Sequence, residues 1–168
     1  MKPFDLGSAF IKPDHPVEAG KWTTIRYTYR VGHPIDDTGY IKIAFRHVGD
    51  FGWPQFDDPQ APNYCTVSTT GDCRIEPRWD PKGHIRPWSR ALFLKIVSGY
   101  LDSGEEIQVI FGETSQGNPG WQLSISNPAH PRHGNNPGQG CVQLIGSGAR
   151  AVVRGRLRHH NLAPSGAP

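Results

Sequence analysis

The chain has 168 residues, enough for one domain or one domain with a tail. Its 20 glycines and 16 prolines interrupt helix interiors too often for a helical bundle or coiled coil, and apolar residues are only 36%. The net charge of +3 is small, but it is unevenly distributed.

The N-terminus, MKPFDLGSAFIKPDHP, holds Asp5 and two prolines where a secretory signal needs an apolar stretch. No apolar run reaches the roughly 18 residues of a membrane span. A cytoplasmic protein without membrane contact is expected. Residues 22–31 (WTTIRYTYRV) place Ile25, Tyr27, Tyr29 and Val31 at period two, a strand signature. Residues 40–48 (YIKIAFRHV) alternate more cleanly. Ile41, Ile43 and Phe45 form one face, and Lys42, Ala44 and Arg46 the other.

YCTVST (64–69) and CRIE (73–76) predict a hairpin through the Gly71 turn, and ALFLKIV (91–97) with EEIQVIF (105–111) predict another around SGYLDSG. WQLSIS (121–126) is a further strand, and 141–153 carries strand composition. Short strands at this spacing predict an all-β fold, an antiparallel β-sandwich or irregular barrel. The domain spans 1–126, and a low-order extension rich in Gly, Pro, Arg and His fills 127–168. An edge strand left open would invite self-association.

Residues 1–113 hold all 15 acids and 13 bases, whereas 114–168 hold no acid and five arginines (Arg132, Arg150, Arg154, Arg156 and Arg158). Three readings of that stretch stand side by side. It is a polyanion-binding tail, a solvated tail without a partner, or the product of a shifted frame in GC-rich DNA. Nucleic acid is not an expected partner of the chain as a whole. Cys65, Cys73 and Cys141 are too few for a disulfide framework, although Cys65 and Cys73 flank one turn.

The segment 48–90 is a long ordered connection, rich in aromatics (Phe51, Trp53, Phe56, Tyr64, Trp79 and Trp88), with five acids balancing five bases over Asp57–Arg90. The strings FDDPQAPNY (56–64), GDCRIEPRWDPKGHIRPWSRAL (71–92) and SGYLDSGEEIQVIFGETSQGNPGW (98–121) resemble the N-terminal β-rich region of an uncharacterised bacterial domain-of-unknown-function family. The match covers about residues 15–123. Members of that family continue into a PHP-like (polymerase and histidinol phosphatase-like) metal-hydrolase portion, whose ligand positions this chain lacks. The resemblance implies a truncated member retaining a β module of unknown role, without the metal chemistry.

The densest candidate site is Arg78, Trp79, Asp80, His84, Arg86, Trp88 and Arg90. Guanidinium forks bind carboxylate or phosphate, and indole faces stack on sugars or cations. These residues suit a small anionic or carbohydrate ligand. In an extended segment Arg74, Glu76 and Arg78 point to one side, and the competing reading is internal charge pairing beneath tryptophan lids. Asp80 and His84 would serve as acid and base in a stand-alone enzyme. Asp36, Asp37, Asp50, Asp57 and Asp58 read as turn caps rather than a calcium loop. His47, His130, His133, His159 and His160 lack metal-ligand spacing, and no cofactor or metal is expected.

Overall fold

A computed structural model describes residues 7–14, 17, 20–46 and 51–122, with the backbone of 142–146 and 149–153. Among the described residues there is no helix. Nine strands precede residue 123: β1 (Ser8–Lys12), β2 (Trp22–Thr23), β3 (Ile25–Arg30), β4 (Tyr40–Phe45), β5 (Cys65–Thr69), β6 (Cys73–Asp80), β7 (Arg90–Gly99), β8 (Glu106–Phe111) and β9 (Trp121–Gln122). Two more, β10 (Val142–Gly146) and β11 (Ala149–Val153), follow.

They form a four-stranded sheet, β1-β3-β8-β5, a five-stranded sheet, β11-β10-β4-β7-β6, and the short pair β2-β9. Every strand pairing is antiparallel. The all-β expectation holds, and neither sheet closes into a barrel. The alternation in β3 and β4 does what period two dictates. Tyr27 and Tyr29 from one sheet, and Ile41, Ile43 and Phe45 from the other, turn inward. They meet Leu92, Leu94, Ile96, Ile107, Val109 and Phe111 in one apolar core between the sheets.

Neither expected hairpin forms. β5 pairs with β8 and β6 pairs with β7, so the turns at 70–72 and 100–105 carry the chain across the core from one sheet to the other. Strands that each carry an apolar face bury more of it by folding into opposing sheets than by lying side by side at one edge. Three such crossings meet at one end of the sandwich. Ile35 and Leu101 exchange both backbone hydrogen bonds (2.9 and 2.8 Å), the Val31 amide donates to the Glu105 carbonyl and the Gly104 amide to that of Val31. The Thr70 amide donates to the Glu106 carbonyl, and the Glu106 amide returns a bond to Thr70 Oγ1. Gly99 must be glycine here: its φ is +76°, and a Cβ would lie 2.2 Å from the Asp72 carbonyl oxygen.

The opposite end is closed by aromatic rings. Phe45 lies 5.3 Å from Phe51, 5.3 Å from Trp79 and 5.9 Å from Phe111, and Phe111 stacks on Trp121 at 4.8 Å. Trp121 Nε1 donates to the Gly52 carbonyl at 2.6 Å, tying the 51–64 segment to this cluster. Cys65 and Cys73 are free thiols. Cys65 sits at the far end of β5 from the turn, roughly 13 Å of extended chain away, beyond disulfide reach.

The domain read as ending at 126 does not contain all the strands. The backbone of β10 pairs with β4 from Gln143↔Ala44 to Gly146↔Ile41, and β11 pairs with β10. Asp50, His47 and the histidines expected at 130, 133, 159 and 160 lie outside the described residues.

Candidate functional site

β6 runs to Asp80, so the arginine–tryptophan–aspartate run is a strand and not loop. Pro77 fits within it because β6 is the sheet's edge and its missing N–H breaks no ladder there. Successive residues of a strand face opposite ways. Arg74, Glu76 and Arg78 are exposed together, as expected, while Ile75 and Trp79 pack against the core. The candidate constellation is therefore divided between the two faces of one sheet.

On the outer face, register places Lys42, Phe93 and Arg78 in one row across β4, β7 and β6. Lys42 Nζ lies 4.6 Å from the Phe93 ring centroid, and Arg78 Cζ also lies 4.6 Å from it. One ring is thus held between two cations. Tyr40 is a tilted neighbour of Phe93 at 5.7 Å. The next row is small, Ala44 and Ala91 beside Asp80, and the 81–83 turn folds over it. A Cβ on Gly83 would lie 2.7 Å from Phe93 Cε2 and 3.0 Å from the Ala91 Cβ. Lys42 Nζ donates to the Gly83 carbonyl at 3.2 Å and fastens that turn to the sheet.

Asp80 organises the same turn. Its Oδ1 accepts the Lys82 amide at 2.9 Å, and its Oδ2 meets Arg78 Nη1 at 3.0 Å. The Lys82 amide first, then Arg78 and Lys42, hold its carboxyl below the usual aspartate range. An ionised carboxylate committed to these donors is a poor general base. Arg74 pairs with Glu76 at 3.2 Å on the open surface, where such a pair contributes little.

On the inner side, Trp79 packs edge-on against Phe45 and Phe51, with its Nε1 buried and without a hydrogen-bond partner. Its indole belongs to the core cluster, not to a surface platform. Arg90 lies opposite Phe45 in the ladder, its Cζ 5.3 Å above the Phe51 ring. His84, Arg86 and Trp88 belong to the 84–89 loop, which the His84 amide closes onto the Ser89 carbonyl and the Trp88 amide onto that of Ile85. Trp88 and His84 are half-buried, and Arg86 is exposed.

Lys42 and Phe93 are the members that sequence reasoning missed. The signal was present, since Lys42 was read onto the polar face of its strand, but its partner lies 51 positions away across a ladder. Of the acids expected as turn caps, Asp36 and Asp58 do cap their turns. Asp36 Oδ1 accepts the Thr38 hydroxyl and amide, which lower its pKa, and Asp58 Oδ1 accepts the Gln60 amide. Among the described residues no three His, Cys, Asp or Glu side chains converge as a metal site would require, and no helix is long and apolar enough to cross a membrane.

No family model, curated protein or solved structure matches this chain. Its site must be read from its own geometry.

Proposed function

We propose that this chain is a non-catalytic β module, of the kind that accompanies the hydrolase portion in the family whose strings 56–64, 71–92 and 98–121 resemble it. The observation that carries this reading is the fate of the candidate side chains. Arg78, Asp80 and Lys42 are engaged in strapping the 81–83 turn to the sheet, and Trp79 and Arg90 are engaged with core rings. The resembling stretch coincides with the strands that build the core. A module of this kind supplies shape and contact surface.

A second reading, a small anionic or carbohydrate ligand on the 84–89 loop, rests on exposed Arg86, which makes no ion pair among the described residues. Thermal unfolding with phosphate, sulfate, citrate or neutral sugars separates the two. A ligand at about 100 times its Kd stabilises by ~2.7 kcal/mol, roughly 5–15 °C in Tm for a domain of this size. The module reading expects no such shift. A shift abolished by Arg86→Ala would replace it with the second.

Contact with a second copy is part of this proposal. Tyr64 and Thr70 bond to β8, so Val67 and Thr69, at the other parity, turn their backbone groups to the open edge of β5. That strand, CTVST, carries no charge or proline, unlike edge strand β6 with Pro77 and its bulge at Arg74/Ile75. Ser68→Lys, at the exposed position of that strand, should reduce association measured by sedimentation velocity. Association that Ser68→Lys leaves unchanged would exclude this edge.

A further inference from the structure

The outer face of the four-stranded sheet carries a stripe that the candidate site does not include. Down β3 the outward positions are Arg26, Thr28 and Arg30, exposed except for the half-buried Thr28, and just before it Thr24 and Trp22 of β2, which pairs with β9 rather than within this sheet, are exposed as well. Beside them on β1 are Ser8, Phe10 and Lys12, also exposed. The register sets Lys12 directly opposite Arg26, Phe10 opposite Thr28 and Ser8 opposite Arg30. Continuing across β8, Arg30 faces Glu106, Thr28 faces Gln108 and Arg26 faces Ile110.

Glu106 is the one carboxylate among these positions, and it neighbours Arg30. Lys12 and Arg26 therefore face each other across adjacent strands with no acid in their row. Like charges placed opposite one another in a ladder destabilise it, and an anion between them would reverse the sign of that interaction. Two of the large apolar side chains left in solvent flank this cation pair. Phe10 is 55% exposed and Trp22 is 43% exposed. Phe10 stands two residues along β1 from Lys12, and Trp22 four residues along the chain from Arg26. Because Phe10 is level with Thr28, the Lys12–Arg26 pair falls between it and Trp22 in the order of positions along β3.

Two exposed rings separated by an uncompensated cation pair fit a flexible polymer whose planar groups stack while its phosphates meet cations. We propose that this face binds single-stranded nucleic acid, with phosphate held by Lys12 and Arg26 and bases stacked on Phe10 and Trp22. A sulfated polysaccharide would also satisfy the cations, and competition by heparin fragments separates the two. The stripe escaped the sequence reading, which did not expect nucleic acid, because it is assembled from separate segments that only the β1–β3 register brings together.

Fluorescence anisotropy of the full chain with a labelled oligothymidylate of about twelve nucleotides tests this. Two phosphate contacts predict a log–log salt slope of about −1.4, so affinity should fall about sevenfold from 50 to 200 mM salt. Lys12→Ala with Arg26→Ala should bring the slope close to zero. Phe10→Ala should weaken binding about tenfold and leave the slope unchanged. These positions are exposed, so an unchanged Tm accompanies the expected losses. Substituting Arg150, Arg154, Arg156 and Arg158 by Ala should leave most of the affinity. Binding that disappears with those arginines and ignores Lys12, Arg26 and Phe10 would overturn the proposal. So would heparin fragments competing equally while Phe10→Ala has no effect, the result expected of a sulfated polysaccharide site. These outcomes leave the module reading of the opposite sheet standing.

Discussion

Tyr27 is 1% exposed at the centre of β3, and its hydroxyl is buried without a hydrogen-bond partner. A hydroxyl buried in this way costs about 1–3 kcal/mol by mutational measures. Tyr27→Phe removes the oxygen and keeps the ring against Ile11 and Val109, its ladder neighbours. The space vacated, roughly 10 Å³, costs about 0.2 kcal/mol at ~24 cal/mol per Å³. The net expectation is a gain of about 1–2 kcal/mol. At an m-value near 2 kcal/mol/M in urea, the unfolding midpoint should rise by roughly 0.5–1 M with m unchanged. An alkaline titration gives an independent reading. Burial first, and Tyr29 second, raise the Tyr27 phenol well above its ordinary 10.0. Below pH 10 its ionisation therefore adds no further cost, and above it the unfolded chain ionises first and stability falls as pH rises. Tyr27→Phe should flatten that fall. A midpoint that drops would show that the hydroxyl is hydrogen-bonded in solution, an unchanged alkaline limb would show that burial does not raise the phenol, and either would refute the reasoning.

Phe45→Ala should cost about 3–5 kcal/mol, because Phe45 touches Phe51, Trp79, Phe111 and Trp121 at once. Loss of the near-ultraviolet circular dichroism of Trp79 and Trp121 should accompany it, and a retained spectrum would contradict the cluster. In a Cys141→Ser background, Ellman's reagent should modify half-buried Cys73 first. Cys65, whose burial pushes its thiol up to about 12, should react only as fast as the chain unfolds; equal rates would exclude this burial. Asp80 has a folded pKa below its model-compound value of 3.8, so its contribution is present above that pH and lost as acid carries it through the lower value. Asp80→Asn should remove that part of the acid limb, and identical acid curves for the two proteins would contradict the Lys82 and Arg78 contacts.

The strands at 22–31, 40–48, 91–97 and 105–111 were legible because period-two alternation records which side chains the core needs. Pairing was less legible. A glycine-bearing turn such as that at Gly71 or Gly99 serves a hairpin and a crossing between sheets equally well, and only the fit of distant apolar faces decides between them. Pro77 hid the far half of β6, since a proline reads as a strand breaker until the strand is known to lie at an edge. The motif around Arg78, Trp79 and Asp80 was conspicuous in sequence, but strand geometry sent neighbouring members to opposite faces. Of its packing partners, Lys42 was legible only as a polar-face position, and nothing local linked it to Phe93 across the ladder. β1 has too few residues, and too exposed a pattern, to be recognised before its partner β3 is in place.

β8 lies between β3 and β5, and Thr24 reaches across 88 positions to bond the Gly112 carbonyl. During synthesis, β3 and β5 leave the ribosome long before the strand that joins them. Until Phe111 emerges, β5 has no partner strand and β3 has only β1, so one of the two sheets stays open on its apolar face. Partners so remote in the chain close slowly, on a scale of milliseconds to seconds. The yield of this protein in a cell should therefore follow chaperone supply and elongation speed more closely than the strength of its finished core.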